Sequence, residues 1–318
     1  MRKMLAMFPG QGSQSIGMAK ELLEQFPATR VLFEEAEDAT RLPIRQFCNE
    51  GPEDILQLTA NQQPCVLTVS VAMWRVLQNE AHFAPKIFAG HSLGEYSALV
   101  ASEKLTLCDA VLLVKLRGEA MQLAVPEGKG AMAAVLGAQE KLLVETCKAV
   151  SENSNGTVEV VNFNSPTQHI ISGSKKEVLH AIDLLAEKKI RAKILPVSAP
   201  FHSSLMTPAK VKMAPLLSDI ALKDSQLAVI ANLTGSIEQP YKIELLIEQI
   251  DHPVLWTKTM ETALEQECES FVEVGPGTIL ASLAKRWLPS TISFLNCSKL
   301  RETVAALQAQ ATKKHHSH

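Results

Sequence analysis

Residues 86–102 constrain the fold more than any other part of the chain. Residues 86–90 form a short apolar run that is typical of a buried strand, and residues 94–102 have the apolar spacing of a helix. The turn between them, Gly90-His91-Ser92-Leu93-Gly94, fits the Gly-x-Ser-x-Gly pattern in the strand-to-helix context of a nucleophile elbow. An ordinary strand-to-helix turn is the alternative interpretation. Either interpretation favours an α/β fold.

Two further strand–loop–helix units support this fold class. Residues 4–8 read as a buried strand that ends at Pro9-Gly10-Gln11-Gly12-Ser13, where two glycines allow backbone angles that are closed to other residues. Residues 271–274 are a second buried strand, and Gly275-Pro276-Gly277 separates it from a predicted helix over residues 279–287. The sequence therefore predicts an α/β core with a largely parallel sheet.

The pattern changes between residues 130 and 196, where short β-rich runs alternate with two amphipathic helices. The predicted order is strand 131–136, helix 139–151, strand 157–162, strand 168–172, helix 175–188 and strand 191–196. This βαββαβ order is typical of a ferredoxin-like subdomain. We therefore predict a catalytic core of residues 1–128 and 199–311, an inserted subdomain of residues 129–198, and a disordered tail of residues 312–318.

Composition excludes several classes of function. The 31 Lys and Arg residues against 34 Asp and Glu residues give a net charge of -3, which supplies no general field for nucleic acid. The longest apolar runs, such as residues 66–74, are too short to span a bilayer. Pro9-Gly10 cuts the apolar start before it reaches the length of a signal-peptide core, so we expect a cytoplasmic protein. Six widely spaced cysteines without a Cys-x-x-Cys pair predict neither a zinc site nor a disulfide framework.

A serine nucleophile needs a base within hydrogen-bond reach. Among the nine histidines, His202 stands out because it lies in a proline-containing loop that leaves the last strand of the subdomain, where core and subdomain should face each other. A structural loop histidine is the alternative. The helix that begins after Ser92 would point its N–H groups at this serine, so the amide of Leu93 is a candidate oxyanion donor.

Six ordered motifs resemble malonyl-CoA:acyl carrier protein transacylases, over the chain up to about Leu295. The motifs are Phe8-Pro-Gly-Gln-Gly-Ser-Gln14, Gly90-His-Ser-Leu-Gly-Glu-Tyr-Ser-Ala98, Arg117-Gly-Glu-Ala-Met121, Asn162-Phe-Asn-Ser-Pro166, Pro200-Phe-His202 and Glu273-Val-Gly-Pro-Gly277. The resemblance implies an α/β-hydrolase-like core with a ferredoxin-like insertion. It also implies that Ser92 accepts the acyl group and that His202 is its base.

The same resemblance assigns further roles. Gln11 would supply the second oxyanion-hole amide beside Leu93, and Arg117 would pair with the free carboxylate of the malonyl group, which suits the planar fork of arginine. A surface arginine is the alternative. The family orients its histidine with a glutamine backbone carbonyl, which corresponds to Gln249, although His252 stands where many relatives have asparagine.

The remaining substrate-binding residues implied by the resemblance lie along the same cleft: Gln63, Met121, Met132, Asn162 and Phe201. Core packing is the alternative for the two methionines. Phe201 departs from many fatty-acid-pathway transacylases, which have a small residue before the histidine. It resembles malonyl-selective acyltransferases of polyketide assembly lines, so a stand-alone polyketide acyltransferase remains an alternative to fatty acid supply.

The resemblance implies a ping-pong transfer of malonyl from malonyl-CoA to the phosphopantetheine thiol of an acyl carrier protein, without a metal or other cofactor. We expect a monomer whose basic surface docks the acidic carrier protein. The candidate docking residues are Lys188, Lys189, Arg191, Lys193, Lys285 and Arg286. Two rivals remain: an editing acyl hydrolase, which would not need the cation of Arg117, and a carrier-protein-binding scaffold without activity.

Overall fold

The structure, a computed structural model, describes residues 3–197 and 199–312. Within these residues the chain forms ten strands and fourteen α-helices. The strands are β1 (Lys3–Phe8), β2 (Ile87–Gly90), β3 (Gly130–Leu136), β4 (Val158–Ser165), β5 (Gln168–Ser174), β6 (Arg191–Ile194), β7 (Ala228–Ile230), β8 (Ile237–Glu238), β9 (Cys268–Glu273) and β10 (Ser293–Asn296).

The helices vary from one turn to six, and the longest is the fifth. They are α1 (Lys20–Gln25), α2 (Arg30–Thr40), α3 (Ile44–Asn49), α4 (Glu53–Gln57), α5 (Thr59–Ala81), α6 (Gly94–Ala101), α7 (Leu107–Leu123), α8 (Glu140–Glu152), α9 (Lys175–Glu187), α10 (Thr207–Ser218), α11 (Glu244–Gln249), α12 (Trp256–Glu265), α13 (Ile279–Lys285) and α14 (Leu300–Thr312). No helix of the described chain is long and apolar enough to cross a membrane.

The larger sheet has the strand order β10-β9-β1-β2-β7-β8, and all of its pairs are parallel except β7 with β8. Its central strand β1 is buried on both faces. Ala6 and Phe8 pack into one hydrophobic cluster, and Leu5 and Met7 pack into another on the opposite face. This near-continuous apolar run is what a parallel sheet covered by helices on both faces requires.

The smaller sheet is antiparallel, with the order β4-β5-β3-β6. Helices α8 and α9 pack on it over a separate hydrophobic cluster. Its chain order is β3-α8-β4-β5-α9-β6, the βαββαβ arrangement expected from the sequence. The predicted fold class, a parallel α/β core plus a ferredoxin-like subdomain, is confirmed. The domain boundaries at residues 129 and 198 stay a prediction.

Two details differ from expectation. The apolar spacing of residues 64–80 predicts a helix that starts at Pro64, but α5 begins at Thr59 and carries this proline inside its second turn. Proline costs a helix one N–H donor, and here the burial of nearly the whole helix outweighs that loss. Thr312, expected to begin the disordered tail, is the last residue of α14. The rest of that predicted tail, residues 313–318, lies outside the described chain.

Candidate active site

The turn between β2 and α6 holds Ser92 in a left-handed backbone conformation, with φ of 55°. Glycine is required on both sides of this turn. A Cβ on Gly90 would overlap the carbonyl oxygen of Gly94, and a Cβ on Gly94 would overlap the carbonyl oxygen of Phe8. The two strands β1 and β2 and helix α6 therefore approach each other closely enough to present the serine side chain at the floor of a cleft.

His202 meets Ser92 through a short hydrogen bond, with 2.7 Å between Nε2 and the serine Oγ. Its other nitrogen, Nδ1, lies 2.9 Å from the backbone carbonyl oxygen of Gln249. Because that carbonyl can only accept, Nδ1 carries the proton and Nε2 is the acceptor for the serine hydroxyl. Burial and the nearby charge of Arg117 lower the pKa of His202 to about 3. The imidazole is therefore neutral at pH 7 and available as a base.

Arg117, on α7, lies directly behind the nucleophile and is only 1% exposed. Its Nη2 donates to Ser92 Oγ at 3.1 Å and to Gln249 Oε1 at 2.9 Å, and its Nη1 donates to Gln63 Oε1 at 2.8 Å. Among the described residues it forms no salt bridge, and its Nε has no acceptor. A buried cation without an acidic partner is costly. It marks a place where an anion can bind.

Two backbone amides near the nucleophile are available as donors. Neither the N–H of Leu93 nor that of Gln11 donates to another group in the described chain. The side chain of Gln11 is anchored by donating to Thr59 Oγ1 at 2.8 Å and to Gln62 Oε1 at 2.6 Å. The N–H of Ser92 itself is occupied, because it donates to an asparagine side chain on another loop at 2.7 Å.

The cleft over Ser92 has a volume of about 340 Å³ and runs between the two sheets. Met132, Asn162 and Phe201 line it, as the sequence resemblance implies. The side-chain oxygen of Asn162 is buried and has no partner in the described chain, so it is free to accept from a ligand. Met121 is 1% exposed, packs in the hydrophobic core and does not line the cleft. Gln63 is fully buried and does not line the cleft: it accepts from Arg117, and its Nε2 donates at 2.9 Å to Thr59 Oγ1, the atom that also anchors Gln11.

Sequence reasoning missed three residues behind the nucleophile. Asn232 follows β7. Its Oδ1 accepts from the Ser92 N–H, and its Nδ2 donates to the backbone carbonyl of Gly90. Glu95, in the first turn of α6, is 1% exposed and accepts from Tyr241 Oη at 2.6 Å. Burial raises the pKa of Glu95 to about 7. The sequence offered a signal for Asn232 alone: it follows the apolar run 227–231. Because the carboxyl ends of parallel strands lie at the same edge of the sheet, a polar residue there is expected near Ser92.

The basic residues named from the sequence lie on two sides of the cleft. Lys188 and Lys189 follow α9, and β6, which carries Arg191, leads into the cleft-lining residues 195–197. Lys285 ends α13, whose first residues line the opposite wall. Arg286 donates to the side chain of a cleft-lining glutamine at 3.3 Å. Both clusters therefore lie on elements that line or lead into the cleft.

A protein-family comparison and a search of curated proteins agree with this geometry. A model described as the acyl transferase domain matches residues 7–313. The malonyl CoA-acyl carrier protein transacylase of Bacillus subtilis (strain 168) is 42% identical over 289 residues, which cover 90% of each chain. The enzyme of the same name from Salmonella typhimurium is 40% identical over 309 residues, or 96% of this chain and 98% of the relative.

Solved structures show the same likeness in three dimensions. FabD from Acinetobacter baumannii is 42% identical and superposes with a TM-score of 0.93, covering 97% of this chain and 99% of that one. A malonyl-transacylase structure in complex with a type II PKS acyl-carrier protein is 38% identical with a TM-score of 0.91, covering 96% of this chain and 99% of that one.

Proposed function

The chain belongs to the acyl transferase domain family, and on that premise we propose that it moves malonyl from malonyl-CoA to the phosphopantetheine thiol of an acyl carrier protein. The observation that carries the substrate assignment is the buried guanidinium of Arg117, which touches the nucleophile and has no acidic partner among the described residues. A malonyl group on Ser92 Oγ would bring its free carboxylate to this cation, whereas an acetyl group would leave the cation unpaired.

The first half-reaction acylates Ser92. Its Oγ attacks the thioester carbonyl carbon while His202 Nε2, at 2.7 Å, takes the hydroxyl proton. The N–H groups of Leu93 and Gln11 donate to the developing oxyanion, and the positive end of α6 adds to this stabilisation. The carbon–sulfur bond then breaks, and the coenzyme A sulfur takes the proton from Nε2.

The second half-reaction reverses these steps with a different thiol. The phosphopantetheine thiol gives its proton to His202 Nε2 and attacks the malonyl-serine ester, and Ser92 Oγ leaves with that proton. One thioester replaces another, so the exchange needs neither an oxidant nor a reductant, and we propose that no metal or other cofactor takes part.

Substrate charge would assist the base. Arg117 is one of the causes of the low pKa of His202. A malonyl carboxylate that pairs with Arg117 neutralises this charge and so raises the basicity of the imidazole where the proton is to be taken. The carbonyl of Gln249 holds the ring in the productive tautomer throughout.

The acyl carrier protein is the macromolecular partner, in line with the names of the relatives and the carrier-protein complex among the solved structures. We propose that Lys188, Lys189 and Arg191 on one side of the cleft, and Lys285 and Arg286 on the other, attract its acidic surface. We propose that the enzyme acts as a cytoplasmic monomer.

Supply of malonyl units for fatty acid synthesis is the pathway we propose. A second candidate, service to a polyketide synthase, is favoured by one observation. Phe201 lines the cleft next to His202, where its bulk disfavours an α-methyl substituent, and a structural neighbour is the transacylase of a type II polyketide carrier protein.

Intact mass spectrometry of a carrier protein tests the proposal. The enzyme is incubated with holo carrier protein and malonyl-, methylmalonyl- or acetyl-CoA. We expect the malonyl adduct on the carrier protein to form fastest. Release of free malonate without a carrier-protein adduct would instead support the editing hydrolase, and equal rates for all three donors would contradict the role of Arg117.

A further inference from the structure

A buried carboxylate is connected to Arg117 through one glutamine side chain. Gln249 Nε2 donates to Glu95 Oε2 at 2.6 Å and to the backbone oxygen of Ser92 at 3.0 Å, while its Oε1 accepts from Arg117 Nη2 at 2.9 Å. All of these groups are buried. We propose that Glu95 is a positioning residue that fixes the direction of the Gln249 carboxamide and, through it, the guanidinium that selects a carboxylated acyl group. This inference rests on the proposed function of the site.

The direction of the carboxamide follows from the chemistry of its neighbours. A carboxylate and a backbone carbonyl can only accept, and a guanidinium can only donate. If the amide of Gln249 were reversed, its oxygen would face the oxygens of Glu95 and Ser92, and its NH2 group would face Arg117. Every contact would then be repulsive. Glu95 Oε2 makes the shortest of the contacts, and it lies opposite the Oε1 that receives donors from Tyr241 and Asn232, so it contributes most to this preference.

Glu95 is itself held from the other side. Its Oε1 accepts from Tyr241 Oη at 2.6 Å and from the backbone N–H of Asn232 at 3.2 Å. The carboxylate therefore receives donors on both oxygens and cannot rotate without losing a buried hydrogen bond. Its position is determined by α6, by the segment after β7 and by the loop before α11 together.

The indirect connection leaves Arg117 free for substrate. The attraction between Glu95 and Arg117 offsets part of the burial cost of both groups, as their opposite effects on each other's pKa indicate. Yet the carboxylate binds the glutamine rather than the guanidinium, and no acid of the described chain lies within 4.0 Å of Arg117. A direct ion pair would occupy the site that the malonyl carboxylate needs.

Glu95→Gln replaces one carboxylate oxygen with an NH2 group at nearly constant side-chain volume, so an acceptor becomes a donor. The backbone N–H of Asn232 cannot reorient, so the remaining oxygen of the new glutamine stays with it and the new NH2 group faces the NH2 group of Gln249. Gln249 must then turn away or reverse, and both movements break its contact with Arg117. Tyr241→Phe is the matched control, because it removes a buried hydrogen bond from the same carboxylate without changing what Gln249 meets.

The test is a comparison of steady-state kinetics with malonyl-CoA and acetyl-CoA for wild type, Glu95→Gln and Tyr241→Phe. We expect Glu95→Gln to lower the malonyl-to-acetyl ratio of kcat/KM about tenfold or more, mainly through the KM for malonyl-CoA. Tyr241→Phe should change both substrates in proportion. In an Arg117→Ala background, Glu95→Gln should not change the ratio further, since it acts through the missing guanidinium.

An unchanged ratio in Glu95→Gln, or an equal loss with both substrates, would overturn the positioning role. If that variant does not fold, Gln249→Met breaks the same connection while keeping the backbone carbonyl that holds His202, and it should lower the ratio likewise. An unchanged ratio there would also refute the inference. A different result would refute the proposed function: wild type itself would then show no preference for malonyl-CoA over acetyl-CoA.

Discussion

Replacing Arg117 with alanine should change which acyl group is accepted more than it changes the chemistry. The guanidinium is 1% exposed, donates to the nucleophile, and meets no carboxylate in the described chain. A malonyl group that enters the altered site loses water from its own carboxylate without gaining a partner. An acetyl group has no such charge, so it loses nothing comparable and meets a larger, less polar space.

The size of the effect follows from the burial of the pair. Leaving one partner of a buried, hydrogen-bonded charge pair unmatched costs about 2–5 kcal/mol. At about 1.4 kcal/mol per factor of ten, the malonyl-to-acetyl ratio of kcat/KM should fall by roughly 30-fold to several thousand-fold. The ratio is the quantity to measure, because Arg117 also donates to Ser92 Oγ, and loss of that contact changes the two substrates alike. Removing its charge raises the basicity of His202 more for acetyl than for malonyl, whose carboxylate would already neutralise Arg117 in wild type, so this effect also lowers the ratio.

The assay is transfer to holo carrier protein from each donor, with the unfolding midpoint measured alongside. Arg117→Lys is the control variant: it keeps the charge but replaces the fork with a single donor point, so its ratio should fall between those of wild type and Arg117→Ala. An equal loss with both donors would mean that the arginine is structural. A retained malonyl preference would mean that another residue binds the carboxylate.

Three further predictions concern the base and the docking surface. His202→Ala should slow formation of the acyl-enzyme by about 10²–10⁴-fold, as measured by rapid quenching and mass spectrometry. A rate close to wild type would exclude His202 as the base. The pKa of His202 is about 3 in the folded state, below its ordinary 6.5, so the unfolded chain binds the proton first as pH falls. Denaturant titrations should therefore show that the stability advantage of wild type over His202→Gln shrinks between pH 6.5 and pH 3. A difference that does not depend on pH would contradict the burial of a neutral imidazole. Changing Lys188 and Lys189 to glutamate should raise the KM for carrier protein and weaken its salt dependence, with hydrolysis of malonyl-CoA unaffected; an unchanged KM would leave Lys285 and Arg286 as the docking cluster.

Local patterns carried most of what could be predicted. The turn motif at Ser92 and the strand and helix patterns on its two sides are all local, so they indicate the elbow from sequence. Gly90 is required by a backbone contact only four residues away, at Gly94, whereas Gly94 is required by the carbonyl of Phe8, which approaches it only in the folded sheet. The βαββαβ order likewise depends on short-range periodicity, and it predicted the second sheet element by element. His202 came from its place in the chain order, between the subdomain and the core, and the structure puts its Nε2 2.7 Å from Ser92 Oγ.

The support behind the nucleophile could not be predicted in this way. Glu95 meets Asn232 and Tyr241 across more than 130 residues of sequence, so only the folded chain brings them together. The backbone carbonyl of Gln249 was expected at His202, but the contact of its side chain with Arg117 has no local signal. The start of α5 was placed too late because a proline is a common first residue of a helix, and its tolerance inside one depends on packing.

A malonyl ester on Ser92 can be measured directly. The enzyme is incubated with malonyl-CoA in the absence of carrier protein, its intact mass is recorded, and the modified peptide is mapped; Ser92→Ala is treated in the same way. We expect a mass increase of one malonyl group located on Ser92, loss of that increase when holo carrier protein is added, and no adduct on Ser92→Ala. An adduct on another residue, or undiminished transfer by Ser92→Ala, would contradict this expectation.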